Sequence, residues 1–156
     1  MRPVVQRQWP DLPLRVGALP FRETDAGRVD ILLIRRLDRH VWTVPKGRLV
    51  AGRTDHESAE LEAFEEAGVA GSISETAIGS FLYNKAATMK PEHAEIVEVA
   101  LFPMMVDCEL PQWPEMAKRE RRWFRQHDVA RFVLPGELRD LLTGFTAREF
   151  NYLASA

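Results

Sequence analysis

The stretch of sequence that decides the fold is Glu62-Ala63-Phe64-Glu65-Glu66-Ala67-Gly68-Val69. On a helix, Glu62 and Glu66 are i,i+4 neighbours, and Glu65 lies one turn on from Glu62. The three carboxylates would share one face, where they repel one another and raise one another's pKa. Two interpretations are open: a solvated acidic face, or a cluster of hard oxygen ligands for Mg²⁺ or Mn²⁺.

The helix that carries these acids is predicted to begin near Thr54 and to end at Gly68. Thr54 followed by Glu57 is a capping box, and glycine is favoured just past the end of a helix. An apolar stripe is predicted to lie mostly away from the acids, and it consists of Ala59, Leu61, Ala63, Phe64 and Ala67. Residues 46–53 before the helix are predicted to form a loop in which Gly47 and Gly52 are free to adopt positive φ.

Strands are predicted on both sides of this loop and helix. They cover residues 14–19, 29–35, 42–45, 71–78, 79–83 and 95–102, with an extension to 106 and a basic closing segment at 118–124. Pro20 is expected to permit the first strand only as an edge or a strand end. A polar loop with Lys85 and His93 lies before residue 95, and the tail at 128–153 is predicted to be helical with a break at 134–136. The pattern indicates an α+β or α/β sandwich with a mixed sheet.

Length and composition limit the class of protein. A chain of 156 residues predicts one domain, 1–156, with its core at about 14–145. The net charge of −2, with 46% hydrophobic and 28% charged residues, is ordinary for a globular protein and favours neither nucleic acid nor membrane as a partner. Cys108 is the single cysteine, and the first 13 residues contain no apolar signal segment. We therefore expect a cytoplasmic location.

Beyond the helix itself, the segment from Gly47 to Val69 resembles the Nudix box, G-x5-E-x7-R-E-U-x-E-E-x-G-U. The matching positions are Gly47, Glu62, Ala63, Glu65, Glu66, Gly68 and Val69. The lead-in Trp42-Thr43-Val44-Pro45-Lys46-Gly47 is similar to the W-x-x-P-K-G of Nudix hydrolases that act on diphosphoinositol and dinucleoside polyphosphates. Residues 113–115 and 119–124 also resemble a segment of small bacterial members, so the resemblance extends roughly from Val16 to Leu142.

The resemblance implies a fold and a metal-dependent reaction. The fold would be an α/β/α sandwich with a mixed sheet, and the activity a Mg²⁺-dependent pyrophosphohydrolase, with Mn²⁺ as the alternative ion. Glu62 and Glu66 would bind the metal, and Glu65 would be the general base that takes a proton from water. Glu98, or less favourably Glu95, is a candidate for a further carboxylate, although a solvent-facing strand residue is an equally open interpretation.

Phosphoanhydride cleavage also needs cations around the phosphates. Lys46, Arg48 and Arg35 are the predicted phosphate-binding residues, with Lys46 favoured most. The implied partner is a small polyphosphorylated molecule, such as a diphosphoinositol polyphosphate or a diadenosine polyphosphate. Base stacking would need an aromatic side chain, and the candidates are Trp42, Phe81, Tyr83 and Trp123. The oligomeric state is not encoded in any pattern of this sequence.

Two positions depart from the box. Arg53 stands where the box has glutamate, and Leu61 where it has arginine, so the ion pair that these positions usually form is absent. Arg53 could instead face Glu57 or reach toward the acidic cluster. A non-catalytic Nudix domain that binds a phosphorylated ligand is therefore the alternative function, and hydrolysis of RNA pyrophosphate ranks lower because the chain is not basic overall.

Overall fold

The computed structural model describes residues 6–84 and 95–154, and its centre is one mixed sheet of seven strands. The strands are β1 (Leu14–Glu23), β2 (Val29–Arg36), β3 (Lys46–Gly47), β4 (Val69–Ile73), β5 (Gly79–Asn84), β6 (Ile96–Glu109) and β7 (Arg119–Arg125). The order along the main path is β4-β6-β1-β2-β7, with β3 paired to β1 and β5 to β6. The β1–β6 pair is parallel and the other pairs are antiparallel. The predicted mixed sheet of an α+β fold is confirmed.

Helical segments cover both faces of this sheet. They are α1 (Asp55–Glu62), which continues directly as a π-helical turn (Ala63–Ala67), a 3₁₀ turn (Gln126–Arg131), α2 (Glu137–Gly144) and α3 (Ala147–Ala154). On one face, Leu33 of β2 packs in the same cluster as Leu142 and Phe150 of the C-terminal segment. On the other face, Leu32 packs in the same cluster as Ala63 and Ala67. Side chains of a strand alternate between faces, so the apolar run of β2 is buried on both sides.

β1 is a central strand that continues through Pro20, so the expectation of an edge or a strand end was wrong. β1 pairs with β6 along its length, while on its other side it pairs first with β3 near Val16 and then with β2 from Phe21. The amide of Ala18 donates to Pro45 on that second side, and alternation turns the nitrogen of Pro20 the same way. Pro20 therefore lies where β3 has ended and β2 has not begun, and no ladder hydrogen bond is lost there.

The ends of the acidic helix are as predicted, but its last turn is not a regular α-helix. Thr54 is the N-cap and its side chain accepts a hydrogen bond from the amide of Glu57. Gly68 has φ +64°, the left-handed conformation that suits a glycine at this position. Residues 63–67 form a wider π turn, a feature that is frequent at functional sites. Phe64 is exposed rather than part of the buried stripe.

Three further expectations concern the strands and loops. The short strand expected at 42–45 is reduced to a bridge between Thr43 and Ile34, and the ladder forms one step later at β3. β6 passes through Pro103 as predicted, and β7 closes the sheet as its edge strand beside β2. The polar loop with Lys85 and His93 lies outside the described residues.

Candidate active site

Residues 110–121 form a clamp, as we call it here, that binds the C-terminal end of the acidic helix. The carbonyl groups of residues 65–68 would lack intrahelical partners, and each accepts a hydrogen bond from residues 110–121. The amide of Glu115 donates to Glu65 (3.0 Å), and Nε1 of Trp113 donates to Glu66 (3.2 Å). Nη1 of Arg121 donates to the carbonyls of residues 67 and 68, and its guanidinium stacks 4.0 Å from the Trp113 ring. A cation at this end also complements the helix dipole.

Strand β3 contacts the acidic side chains of the helix directly. The amide of Lys46 donates to Oε1 of Glu66 at 2.9 Å. A Cβ placed on Gly47 would lie 2.3 Å from Cδ of Glu62, so the Glu62 carboxyl occupies the space that any other residue would fill. The expected positive φ applies to Gly52, at +82°, and was wrong for Gly47. Gly47 is instead required by a close approach.

Glu66 is a buried carboxylate with two cationic neighbours. Its side chain is 8% exposed, and Oε2 lies 2.6 Å from Nη2 of Arg119. Nε of Arg119 also contacts Oε1 of Glu115 at 3.0 Å. Burial raises the pKa of Glu66, while Arg119 and Lys46 act to lower it. Arg119 therefore joins Glu66 and Glu115, two acids that lie about fifty residues apart in the sequence.

The Glu62 carboxyl shows how crowded the negative charge is. Burial, together with the nearby charges of Glu66, Glu65 and Glu115, raises its pKa to about 8, although Arg119 acts in the opposite direction. Glu65 itself is half-buried. The acids therefore lie close enough to influence one another, which is the situation that the sequence predicted for this turn.

The donor chemistry of this turn suits a hard divalent cation. Partly buried carboxylate oxygens with unbalanced negative charge are the ligands that Mg²⁺ and Mn²⁺ prefer. In the part of the chain that the structure describes, however, no three His, Cys, Asp or Glu side chains converge closely enough to coordinate one ion. Arg119 stands at Glu66 and supplies positive charge there.

A cleft of about 540 Å³ opens beside Glu66. Among the described residues, basic side chains outnumber acidic ones in its lining: the acidic side chains are Glu66 and Glu137, and the basic ones are Arg15, Arg36, Arg39, Lys46, Arg48 and Arg119. The cleft is bounded on another side by the segment 133–138, which includes Leu134 and Pro135. Three of the candidate aromatic residues, Trp42, Phe81 and Tyr83, line it as well, and the Nζ of Lys46 lies 4.2 Å from the Tyr83 ring centroid. Such a lining suits an anionic ligand with an apolar part.

The predicted site residues fall into two groups. Lys46, Arg48 and Glu66 line the cleft, with Glu62 packed against Gly47 at its edge. Glu65 is beside Glu62 but is not among the lining residues. Arg35, predicted to bind phosphate, does not line the cleft, because its guanidinium contacts Glu120 at 2.6 Å and the Arg39 carbonyl at 2.9 Å.

Glu98 is neither a further metal ligand nor a solvent-facing residue, and both interpretations were wrong. It is fully buried, and it accepts hydrogen bonds from Ser80 (2.6 Å), from Arg7 (2.8 Å) and from the amides of residues 8 and 9. Burial acts to raise its pKa, but these donors outweigh burial and lower it. Glu98 thus fastens the N-terminal segment to β6. Glu95 pairs with Arg15 at 3.2 Å instead of joining the acids.

The departures from the box do not disturb the acids. Arg53 is exposed, and among the described residues it forms no ion pair with Glu57 or with the acidic cluster. Leu61 is half-buried. Trp113 and Arg121 bind the C-terminal end of this helical segment directly, independently of positions 53 and 61.

Comparison with known proteins identifies the class. The sequence matches the NUDIX domain family over residues 11–145, so the chain belongs to the Nudix family. It is 33% identical over 120 residues to the mitochondrial Nudix hydrolase 12 of Arabidopsis thaliana, covering 69% of this chain and 59% of that protein. It is 28% identical over 137 residues to the chloroplastic Nudix hydrolase 21 of the same plant, covering 86% and 66%. The chain thus spans about three fifths to two thirds of these relatives.

Solved structures share the fold at low sequence identity. A Nudix hydrolase from Listeria monocytogenes superposes with a TM-score of 0.64 at 17% identity, covering 90% of this chain and 96% of that one. An Ap4A hydrolase from C. elegans gives 0.63 at 22%, covering 93% and 100%. The Nudix domain of Shewanella oneidensis NrtR, complexed with ADP ribose, gives 0.63 at 16%, covering 90% and 88%. Within residues 6–84 and 95–154, none of the helices has the length and hydrophobicity needed to cross a bilayer.

Proposed function

We propose that this chain is a Mg²⁺-dependent pyrophosphohydrolase, with Mn²⁺ as the alternative ion, that cleaves a phosphoanhydride bond in a small polyphosphorylated molecule. The observation that carries the proposal is the position of Glu66, which is buried beside Glu62 and opens onto a cleft whose charged lining residues are mainly basic. Acidic residues for a metal and cations for phosphates are the two requirements of this chemistry.

Each residue has a separate role in the proposed reaction. Glu62 and Glu66 would hold the divalent cation, which when bound neutralises phosphate oxygens and activates water. Glu65 would accept the proton that the attacking water loses as its oxygen bonds to phosphorus. Lys46 and Arg48 would bind phosphate oxygens and stabilise the charge that passes to the leaving oxygen. Arg36 and Arg39 replace Arg35 as candidate phosphate contacts, because they line the cleft and Arg35 does not.

The substrate proposed first is a dinucleoside polyphosphate such as diadenosine polyphosphate, ahead of a diphosphoinositol polyphosphate. An inositol that carries phosphates around its ring would present charge to every wall of the cleft, whereas Val133, Leu134 and Pro135 offer it no charge partner. A nucleoside base could pack on that apolar segment. The name of the C. elegans neighbour, an Ap4A hydrolase, is consistent with this order. The single domain 1–156 and the cytoplasmic location remain part of the proposal.

The alternative function is a Nudix domain that binds a phosphorylated ligand without turnover. Release of product from dinucleoside, nucleoside and inositol polyphosphates, with Mg²⁺, with Mn²⁺ and with chelator, separates the two functions. We expect turnover with a divalent cation and none with chelator. Tight binding of a panel member by calorimetry, with no turnover across the panel, would favour the binding function and remove the proposed hydrolysis.

A further inference from the structure

We propose that Arg119 is an internal cation that occupies the Glu66 carboxylate until a divalent metal ion displaces it, so that Arg119 limits the metal affinity of the site. The inference rests on the metal role proposed for Glu62 and Glu66. It begins from one short contact, 2.6 Å between Nη2 of Arg119 and Oε2 of Glu66, formed between two side chains that are 17% and 8% exposed.

The two oxygens of Glu66 are held in different ways. Oε1 accepts from the backbone amide of Lys46, which β3 fixes in place. Oε2 accepts from a side chain that can rotate away. A metal ion can therefore reach Oε2 more easily than Oε1. To bind Oε2, it must break the charge-assisted hydrogen bond from Arg119.

Arg119 has a second anchor that keeps it near the site after displacement. Its Nε contacts Oε1 of Glu115 at 3.0 Å, and the backbone amide of Glu115 in turn donates a hydrogen bond to the carbonyl of Glu65. Arg119 also lines the cleft beside Lys46 and Arg48. A displaced guanidinium would thus remain on the cleft wall, where the phosphate of a bound ligand could accept its hydrogen bonds. Metal and polyphosphate would then favour each other's binding, because each removes a competitor from the other.

If the ion pair between Arg119 and Glu66 were purely structural, removal of Arg119 would change the metal affinity in the opposite direction. If Arg119 only positions Glu66, its removal loosens the carboxylate and weakens the binding of metal. If Arg119 competes with metal, its removal strengthens binding, because the acids of the turn lose their built-in positive charge. The sign of the change in metal affinity therefore separates the two roles without any measurement of turnover.

The test is calorimetric titration of Mg²⁺ into the full chain at about pH 9, which is above the pKa of about 8 of Glu62. We expect Arg119→Gln to bind Mg²⁺ about tenfold more tightly than the wild type, since one charge-assisted hydrogen bond no longer opposes the metal. Arg119→Lys should fall between them, because lysine keeps the charge but cannot bridge Glu66 and Glu115. The matched control is Arg125→Gln, the same change at an exposed residue of the same strand, and it should leave the affinity unchanged.

Thermal unfolding supplies the second readout for variants of reduced stability. Without metal, Arg119→Gln should melt below the wild type, and saturating Mg²⁺ should raise its Tm by more than it raises that of the wild type. If the wild type binds Mg²⁺ and both Arg119 variants bind it with equal or lower affinity, the inference is overturned, while the proposed metal site remains. An absence of Mg²⁺ binding in every variant would overturn both.

Discussion

The Glu62→Gln substitution should stabilise the metal-free protein, by an amount that grows as the pH rises and is largest at alkaline pH. The pKa of Glu62 rises from 4.5 to about 8, with burial as the main cause and Glu66, Glu65 and Glu115 adding to it. Between these two values the folded protein binds more protons at this carboxyl than the unfolded chain does. Stability must therefore fall as pH rises through this window, and the cost is complete above about pH 8.

The size of the effect follows from the same shift. A tenfold change in proton affinity is about 1.4 kcal/mol, so the rise from 4.5 to about 8 corresponds to roughly 5 kcal/mol. Because part of the Glu62 side chain remains in solvent, which screens its charge, we reduce the expected value to about 2 kcal/mol. Glutamine has the shape of the protonated acid and carries no charge, so it removes this cost.

Urea denaturation with chelator at about pH 4.5 and about pH 9 measures the difference. Glu62→Gln should exceed the wild type by about 2 kcal/mol at the higher pH and by much less at the lower pH, where the unfolded chain has only begun to lose this proton. Glu60→Gln, at an exposed position of the same helix, is the control and should show no such pH dependence. A gain of equal size at both pH values, or no gain, would refute the account of charge crowding.

Three further substitutions test the frame around the acids. Gly68→Ala should destabilise the fold by about 2 kcal/mol or more in urea titration, because φ is +64° and the new Cβ would lie 2.7 Å from Nη1 of Arg121; stability within 0.5 kcal/mol of wild type would contradict the clamp. Gly47→Ala should lower kcat at least about tenfold while the protein remains folded by circular dichroism, since its Cβ would displace the Glu62 carboxyl; an unchanged kcat would show that this carboxyl need not lie there. Arg53→Ala should change stability by less than about 0.5 kcal/mol and leave kcat unaltered, as this side chain is exposed; a large loss of either would mean that it supports the acids.

Features governed by neighbouring residues could be predicted from the sequence. Thr54 and Gly68 mark the ends of the helix because capping depends on residues three or four positions apart. The crowding of Glu62 with its neighbours follows from helical spacing in the same way. The burial of residues 31–34 on both faces was also predictable, since an apolar run of that length has no exposed side.

Features that depend on distant segments were not predictable. Glu66 meets Arg119, and the helix end meets Arg121, across more than fifty positions of sequence. Arg35 looked like a phosphate ligand because its partner, Glu120, lies directly opposite it only once β2 and β7 pair. Glu98 looked available for metal because the segment that satisfies it, near residue 8, has no recognisable pattern of its own. A side chain's charge is visible in a sequence, but the partner that neutralises it is set by sheet pairing.

The sequence did contain a signal for the clamp, but it did not indicate that these residues bind the end of the helix. Trp113 and the arginines of 119–122 stood out as a segment shared with similar proteins. A tryptophan and an arginine that stack at 4.0 Å offer donors in a fixed arrangement, which suits the carbonyl groups of a helix end.

The measurement that tests the proposed hydrolysis most directly is the kcat of Glu65→Gln with Mg²⁺ and the best substrate of the panel. Glutamine keeps the size of the side chain but cannot accept the proton of the attacking water, so kcat should fall at least about a hundredfold with the fold intact by circular dichroism. Glu60→Gln, on the same helix and exposed, should keep the wild-type value. Equal turnover by Glu65→Gln and wild type would contradict the role of Glu65 as the general base and the division of labour among the three acids.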